Sequence, residues 1–143
     1  FGPLVKAPKK ADIFICTWGI NDDSGMAQVV NSIDGSKPKR VRLLVGYSKV
    51  THNLLKIKGV LKQYKDIGWE VRALPGFHAK IWAINDKAWV GSANFVRSTI
   101  VNLMVPVPRS SVTEFIELNW KQAGELSRSS DLALLPQVKL KQI

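Results

Sequence analysis

Apolar positions fall in a pattern that changes halfway along the chain. Ala11 to Ile20 (ADIFICTWGI) and Arg40 to Tyr47 (RVRLLVGY) are near-continuous runs rich in β-branched and aromatic residues, as expected of buried strands. Between them Met26, Val29, Val30 and Ile33 recur at helical spacing, after a capping Ser24 and before a terminating Gly35. Thr51 opens a second helical stretch in which Leu54, Ile57, Leu61 and Tyr64 share a face. Lys56, Lys58, Lys62 and Lys65 lie largely on the other faces, and Gly68 supplies the stop. A third strand follows at Trp69 to Leu74. This alternation predicts parallel βαβ units covered by helices.

After Pro75-Gly76 the rhythm changes to three short apolar runs, Phe77 to Ile84, Ala88 to Ala93 and Asn102 to Val107. They are too close for helical crossovers, so they are expected to be antiparallel neighbours. Ser111 with Glu114 forms a capping box for a last helix carrying Val112, Phe115, Ile116, Trp120 and Ala123. The fold class expected is α/β, a mixed, largely parallel sheet flanked by helices on both faces. One domain is expected over the chain, with its core at 10–127 and a C-terminal extension at 128–143. The first residue, Phe1, fits a trimmed product of a longer chain.

Composition narrows the class of function. Of 143 residues, 45% are hydrophobic and five are Trp, which supplies a core and excludes a disordered basic tail. No apolar run approaches the roughly 18 residues of a membrane span, and no signal pattern precedes the first strand, so a cytoplasmic protein is expected. Cys16 has no cysteine to pair with and reads as a small buried residue. Two His and one Cys cannot build a four-ligand zinc site, so no metal or other cofactor is expected. The 21 Lys and Arg against 11 Asp and Glu leave a net charge of +10. Such a domain attracts polyanions through counterion release, which makes nucleic acid the first candidate partner, although an anionic lipid surface would answer to the same charge.

The chemistry is concentrated in FHAKIWAINDKAWVGSANF, Phe77 to Phe95. His78 and Lys80 are two apart on a predicted strand, and Ser92 and Asn94 are two apart on the next, so each pair shares a face. A three-residue turn through Asn85, Asp86 and Lys87 sets Ile84 opposite Ala88, His78 opposite Asn94 and Lys80 opposite Ser92. A two-residue turn shifts these pairs by one, unless a bulge restores the parity. The cluster suits a phosphodiester: a cation and an amide hold non-bridging oxygens while imidazole attacks phosphorus or donates a proton. Gly91 leaves room for phosphate to approach the backbone. Trp18, beside Gly19 at the end of the first strand, is a candidate wall or stacking platform, whereas the other four Trp read as core. Arg97 is a candidate contact to a flanking phosphate.

On His78, Lys80, Gly91, Ser92 and Asn94, followed by Phe95, the sequence resembles the phospholipase D superfamily, whose mark is His-x-Lys, an Asp, then Gly-Ser-x-Asn. The order of elements and the helix TEFIELNWKQ resemble its small single-motif bacterial nucleases. The resemblance implies a metal-independent phosphodiesterase acting in two steps through a phosphohistidine. It also implies a homodimer that brings His78 of both subunits to a two-fold axis, with Lys80 and Asn94 gripping phosphate and Ser92 beside them. His52 matches no part of the motif. Two positions depart from the family. Asn85 stands in the Asp position with Asp86 next to it, and Val101 stands where relatives tend to place a Glu that orients the histidine. The expected substrate is nucleic acid, DNA ahead of RNA. Two alternatives stay open: a nucleic-acid binding module left catalytically weak by the missing acids, and a phospholipase.

Overall fold

A computed structural model describes residues 1–20, 24–96 and 102–129. In chain order the elements are α1 (Gly2–Val5), β1 (Asp12–Trp18), α2 (Ser24–Gly35), β2 (Arg40–Tyr47), α3 (Leu54–Asp66), β3 (Glu70–Pro75), β4 (Ile81–Ile84), β5 (Lys87–Gly91), β6 (Met104–Pro108) and α4 (Thr113–Ser129). A single 3-10 turn at Arg109–Ser111 precedes α4. The six strands form one sheet in the order β3-β2-β1-β4-β5-β6. Parallel pairing is confined to β3-β2-β1, and β4, β5 and β6 add to β1 in antiparallel fashion.

Both faces of the sheet are covered. Odd-numbered residues of the parallel strands, such as Ile13, Ile15, Leu43 and Val45, pack beneath α1, α2 and α3. Even-numbered Phe14, Cys16 and Leu44 meet Ile116, Trp120 and Ala123 of α4 on the other face. Each such side chain taken fully out of water contributes about 1.5–3 kcal/mol before entropy is counted, which is why β2 reads as a near-continuous apolar run. Arg42 breaks that run yet is only 4% exposed. Its guanidinium lies over the Phe14 ring at 4.4 Å and pairs with Glu117 of α4 at 2.8 Å. A charge buried beside its counterion and an aromatic face is not available to a polyanion.

Three local expectations are corrected. The helix α3 is capped by Asn53 and not Thr51, because the Asn53 side chain accepts the Lys56 N–H at 3.1 Å. Ser111 belongs to the 3-10 turn, where its hydroxyl donates to the Pro108 carbonyl at 2.6 Å, so it does not cap α4. The β4–β5 hairpin turns through two residues, Asn85 and Asp86, and pairs Ile84 with Lys87 and Trp82 with Trp89. Asn85 makes the shorter turn possible by taking a left-handed φ of 53°, which Asn tolerates well. At the sheet's edge, β6 pairs Pro106 with Trp89 and Pro108 with Lys87. The expected extension at 128–143 lies outside the described residues from 130 onward.

Candidate active site

The position of His78 follows from the strand order. The chain leaves β3 at one edge and must cross the ends of β2 and β1 to enter β4. Residues 76–80 make that crossing, anchored by a Gly76 N–H to Tyr47 carbonyl bond of 2.9 Å. Where the segment passes over β2, the Phe77 carbonyl oxygen occupies the space of a side chain, 1.5 Å from where a Cβ on Gly46 would be. Only glycine permits that approach. The crossing delivers His78 to the end of β1, stacked on Trp18 with ring centres 4.4 Å apart and planes inclined by 27°.

Lys80 reaches back so that its Nζ lies 2.7 Å from His78 Nδ1. The two groups share a hydrogen in one of two ways. An ammonium donating to bare Nδ1 leaves the ring hydrogen on Nε2, whereas an amine accepting from Nδ1–H leaves the Nε2 lone pair free to attack. Partial burial lowers the Lys80 pKa by desolvation, which favours the second arrangement more than an exposed lysine would.

Asn94 is held against the same strand end. Its Oδ1 accepts the Trp18 backbone N–H at 2.8 Å and lies 3.4 Å from the Thr17 hydroxyl. With that oxygen engaged, the Nδ2 hydrogens are left to donate elsewhere. Thr17 is fully buried, and its Oγ1 also accepts the Phe95 N–H at 2.7 Å. Sequence reasoning passed over Thr17, whose one signal is a hydroxyl inside an otherwise apolar strand. It also set His52 aside. The structure places His52 next to Trp18, ring centres 5.0 Å apart and nearly perpendicular at 74°, with Nδ1 accepting the Ser48 N–H at 2.7 Å.

The two-residue turn breaks the expected cross-strand cluster. Lys80 now pairs with Gly91, whose N–H bonds to the Lys80 carbonyl, and Ser92 turns towards β6. The Ser92 hydroxyl accepts the Leu103 N–H at 3.0 Å and lies 3.4 Å from Asn102 Oδ1. The space expected for phosphate at Gly91 is filled by the Leu103 carbonyl, 1.8 Å from where a Cβ would be. His78, Lys80 and Asn94 still gather, because all three converge on the end of β1 and not because they face one another across a hairpin. Asn85 and Asp86 lie at the far end of that strand, where Asn85 Oδ1 accepts the Asp12 N–H at 2.9 Å. Six strand steps, about 20 Å, separate Asp12 from Trp18, so Asp86 does not reach His78. Trp18 is at the site, but it meets His78 and His52 within the chain in place of presenting a free platform. Arg97 and Val101 lie outside the described residues. Among the described residues no carboxylate hydrogen-bonds to His78.

His78 is exposed and Lys80 half-exposed, so the site is an open surface at the sheet end. A cavity of about 520 Å³ lies elsewhere, between α1 and the hairpin tip, lined by Lys6, Asp86, Lys87 and Trp89 among others. It contains none of the residues gathered on Trp18. No helix among the described residues is long and apolar enough to cross a membrane.

The sheet and its helices have the fold of a solved phospholipase D family member. The chain's structure is similar to that of Nuc, a phospholipase D family member from Salmonella typhimurium. The match has a TM-score of 0.61 at 14% identity, over 87% of this chain and 83% of that one. NucT from Helicobacter pylori matches with a TM-score of 0.55 at 15% identity, over 87% and 84%. TrmBL2, an archaeal chromatin protein with a novel mode of DNA binding, matches with a TM-score of 0.50 at 15% identity, over 87% of this chain and 46% of that one. No protein-family model and no curated protein matches the sequence.

Proposed function

We propose that the protein is a metal-independent phosphodiesterase that cleaves nucleic acid, DNA ahead of RNA, through a phosphohistidine at a homodimer interface. The observation that carries the proposal is the convergence of His78, Lys80 and Asn94 on Trp18 at the end of β1. Lys80 Nζ and Asn94 Nδ2 hold the non-bridging oxygens and offset the charge that builds on them. Nε2 of His78 attacks phosphorus, and the bond to the leaving nucleoside oxygen breaks with its electron pair. That oxygen takes a proton from His78 of the partner subunit, which enters as imidazolium. Water then attacks the phosphohistidine and gives a proton to the partner's His78. The P–N bond opens and the electron pair returns to Nε2. The net charge of +10 and the open site suit a polymer of phosphates better than a lipid headgroup.

The test is incubation of the protein with plasmid and single-stranded DNA in excess EDTA, beside His78→Ala. Cleavage by the parent that falls by about 10³-fold or more in the variant, with binding retained, is the expected result. A second reading is favoured by the lack, among the described residues, of a carboxylate on His78: a binding module that keeps the phosphate cradle. Tight, salt-sensitive binding without any cleavage would replace the first reading with this one.

A further inference from the structure

In a histidine-based site the imidazole needs something to fix its plane, and a hydrogen-bonded carboxylate commonly does so. The contacts of His78 among the described residues are of another kind. Its ring lies on the indole of Trp18 at 4.4 Å, and its Nδ1 is tied to Lys80. Trp18 is itself fixed from three directions. Its backbone N–H is held by Asn94, its ring meets His52 edge to face at 5.0 Å, and its strand neighbour is Gly46 of β2.

His52 is set by two further features. The Ser48 N–H on Nδ1 selects the tautomer that carries its hydrogen on Nε2. Gly19, at a left-handed φ of 73°, has no side chain where the His52 ring passes; a Cβ there would lie 3.0 Å from Nε2. A β-carbon at position 19 would sit in a backbone conformation that most side chains avoid and would crowd the His52 ring.

We infer that Trp18 is the positioning residue of His78, with His52 as its brace, so that an aromatic stack does the orienting work of the carboxylate. The inference rests on the phosphohistidine reading for its kinetic consequence, while the stack itself is independent of that reading. A ring held flat on the indole keeps Nδ1 towards Lys80 and Nε2 towards phosphorus. A ring free to turn about its second side-chain torsion spends most of its time misaligned. The indole face also favours the imidazolium that forms as phosphorus is attacked.

The experiment uses the full chain with Trp18→Leu, Trp18→Phe and His52→Leu. In the parent, ring-current effects of a stacked indole shift the His78 ring protons upfield in the NMR spectrum. That shift is expected to vanish in Trp18→Leu, to persist in part in Trp18→Phe and to shrink in His52→Leu. On a DNA substrate, Trp18→Leu is expected to lower kcat about 100-fold with KM unchanged, His52→Leu about 10-fold, and Trp18→Phe to recover most of the loss. Unshifted His78 signals in the parent, or a Trp18→Leu protein with unchanged kcat, overturn the inference. If Trp18→Leu does not fold, Trp18→Phe and His52→Leu decide by the same readouts. A parent that shows the stack but cleaves nothing fails the phosphodiesterase reading and leaves the stack established.

Discussion

At the scale of single residues, the site depends on which proton sits where. The Lys80 and His78 side chains share a hydrogen across 2.7 Å, and desolvation lowers the lysine's pKa. Loss of one proton from the pair turns the ammonium that donates to Nδ1 into the amine that accepts from Nδ1–H, and so frees the Nε2 lone pair. The acidic limb of the pH–rate profile, along which the rate rises with pH, is therefore expected below the ordinary lysine range. Lys80→Arg should remove that limb and lower the rate, because a guanidinium does not deprotonate there. A parent limb at or above the ordinary lysine value would contradict this. Thr17 makes a second residue-scale prediction. Thr17→Val keeps the shape but leaves the buried Phe95 N–H unpaired next to Asn94, at an expected cost of about 1–3 kcal/mol in urea unfolding and a fall in kcat. Thr17→Ser should restore both.

At the scale of elements, the decisive feature is the crossing from β3 to β4. A Cβ at position 46 would collide with the Phe77 carbonyl, so Gly46→Ala must displace the segment that carries His78. The expected result is a stability loss of about 1–3 kcal/mol or more together with most of the activity, measured by denaturant titration and plasmid nicking. Unchanged nicking by the variant would show that the crossing does not set His78. The parallel half of the sheet was legible in the sequence, β2 over the same residues Arg40 to Tyr47, because continuous apolar runs separated by amphipathic helices have few other solutions. The antiparallel order of the last three strands was legible from their short spacing. The hairpin register was not, since it turned on one backbone angle at Asn85. Ser92 and Gly91 were accordingly assigned to the cluster although their neighbours are Leu103 and Asn102. His52 was hidden for a different reason: only the fold brings the loop after β2 beside the end of β1.

At the scale of the whole molecule, the excess charge is unevenly usable. Arg42 is buried against Glu117, and Arg40 pairs with Glu70 at 2.8 Å, where its guanidinium holds the Glu70 carboxyl below its usual range. Lys49 and Lys56, by contrast, are exposed near the start of α3, which follows His52. Fluorescence anisotropy with labelled DNA across a salt series is expected to show a steep salt dependence. Lys49→Ala and Lys56→Ala should each reduce the log–log slope by about 1, while Arg40→Ala leaves it unchanged. Equal slopes in all of them would remove α3 from the contact surface.

The outer edge strand limits how two copies of this molecule can meet. In β6 the odd-numbered positions face β5: the Leu103 carbonyl accepts the Ser92 N–H, and the Arg109 N–H bonds to Asp86. The even-numbered positions, Met104, Pro106 and Pro108, therefore point their backbone outward, and two of the three have no N–H to offer. An approaching strand would find almost no donors along that rim, although Leu103 and Val105 expose apolar side chains there. Sheets of two copies cannot fuse into one continuous ladder through β6. A dimer that met at this edge would be held by side-chain packing, and a fibre built by adding strand to strand is blocked here.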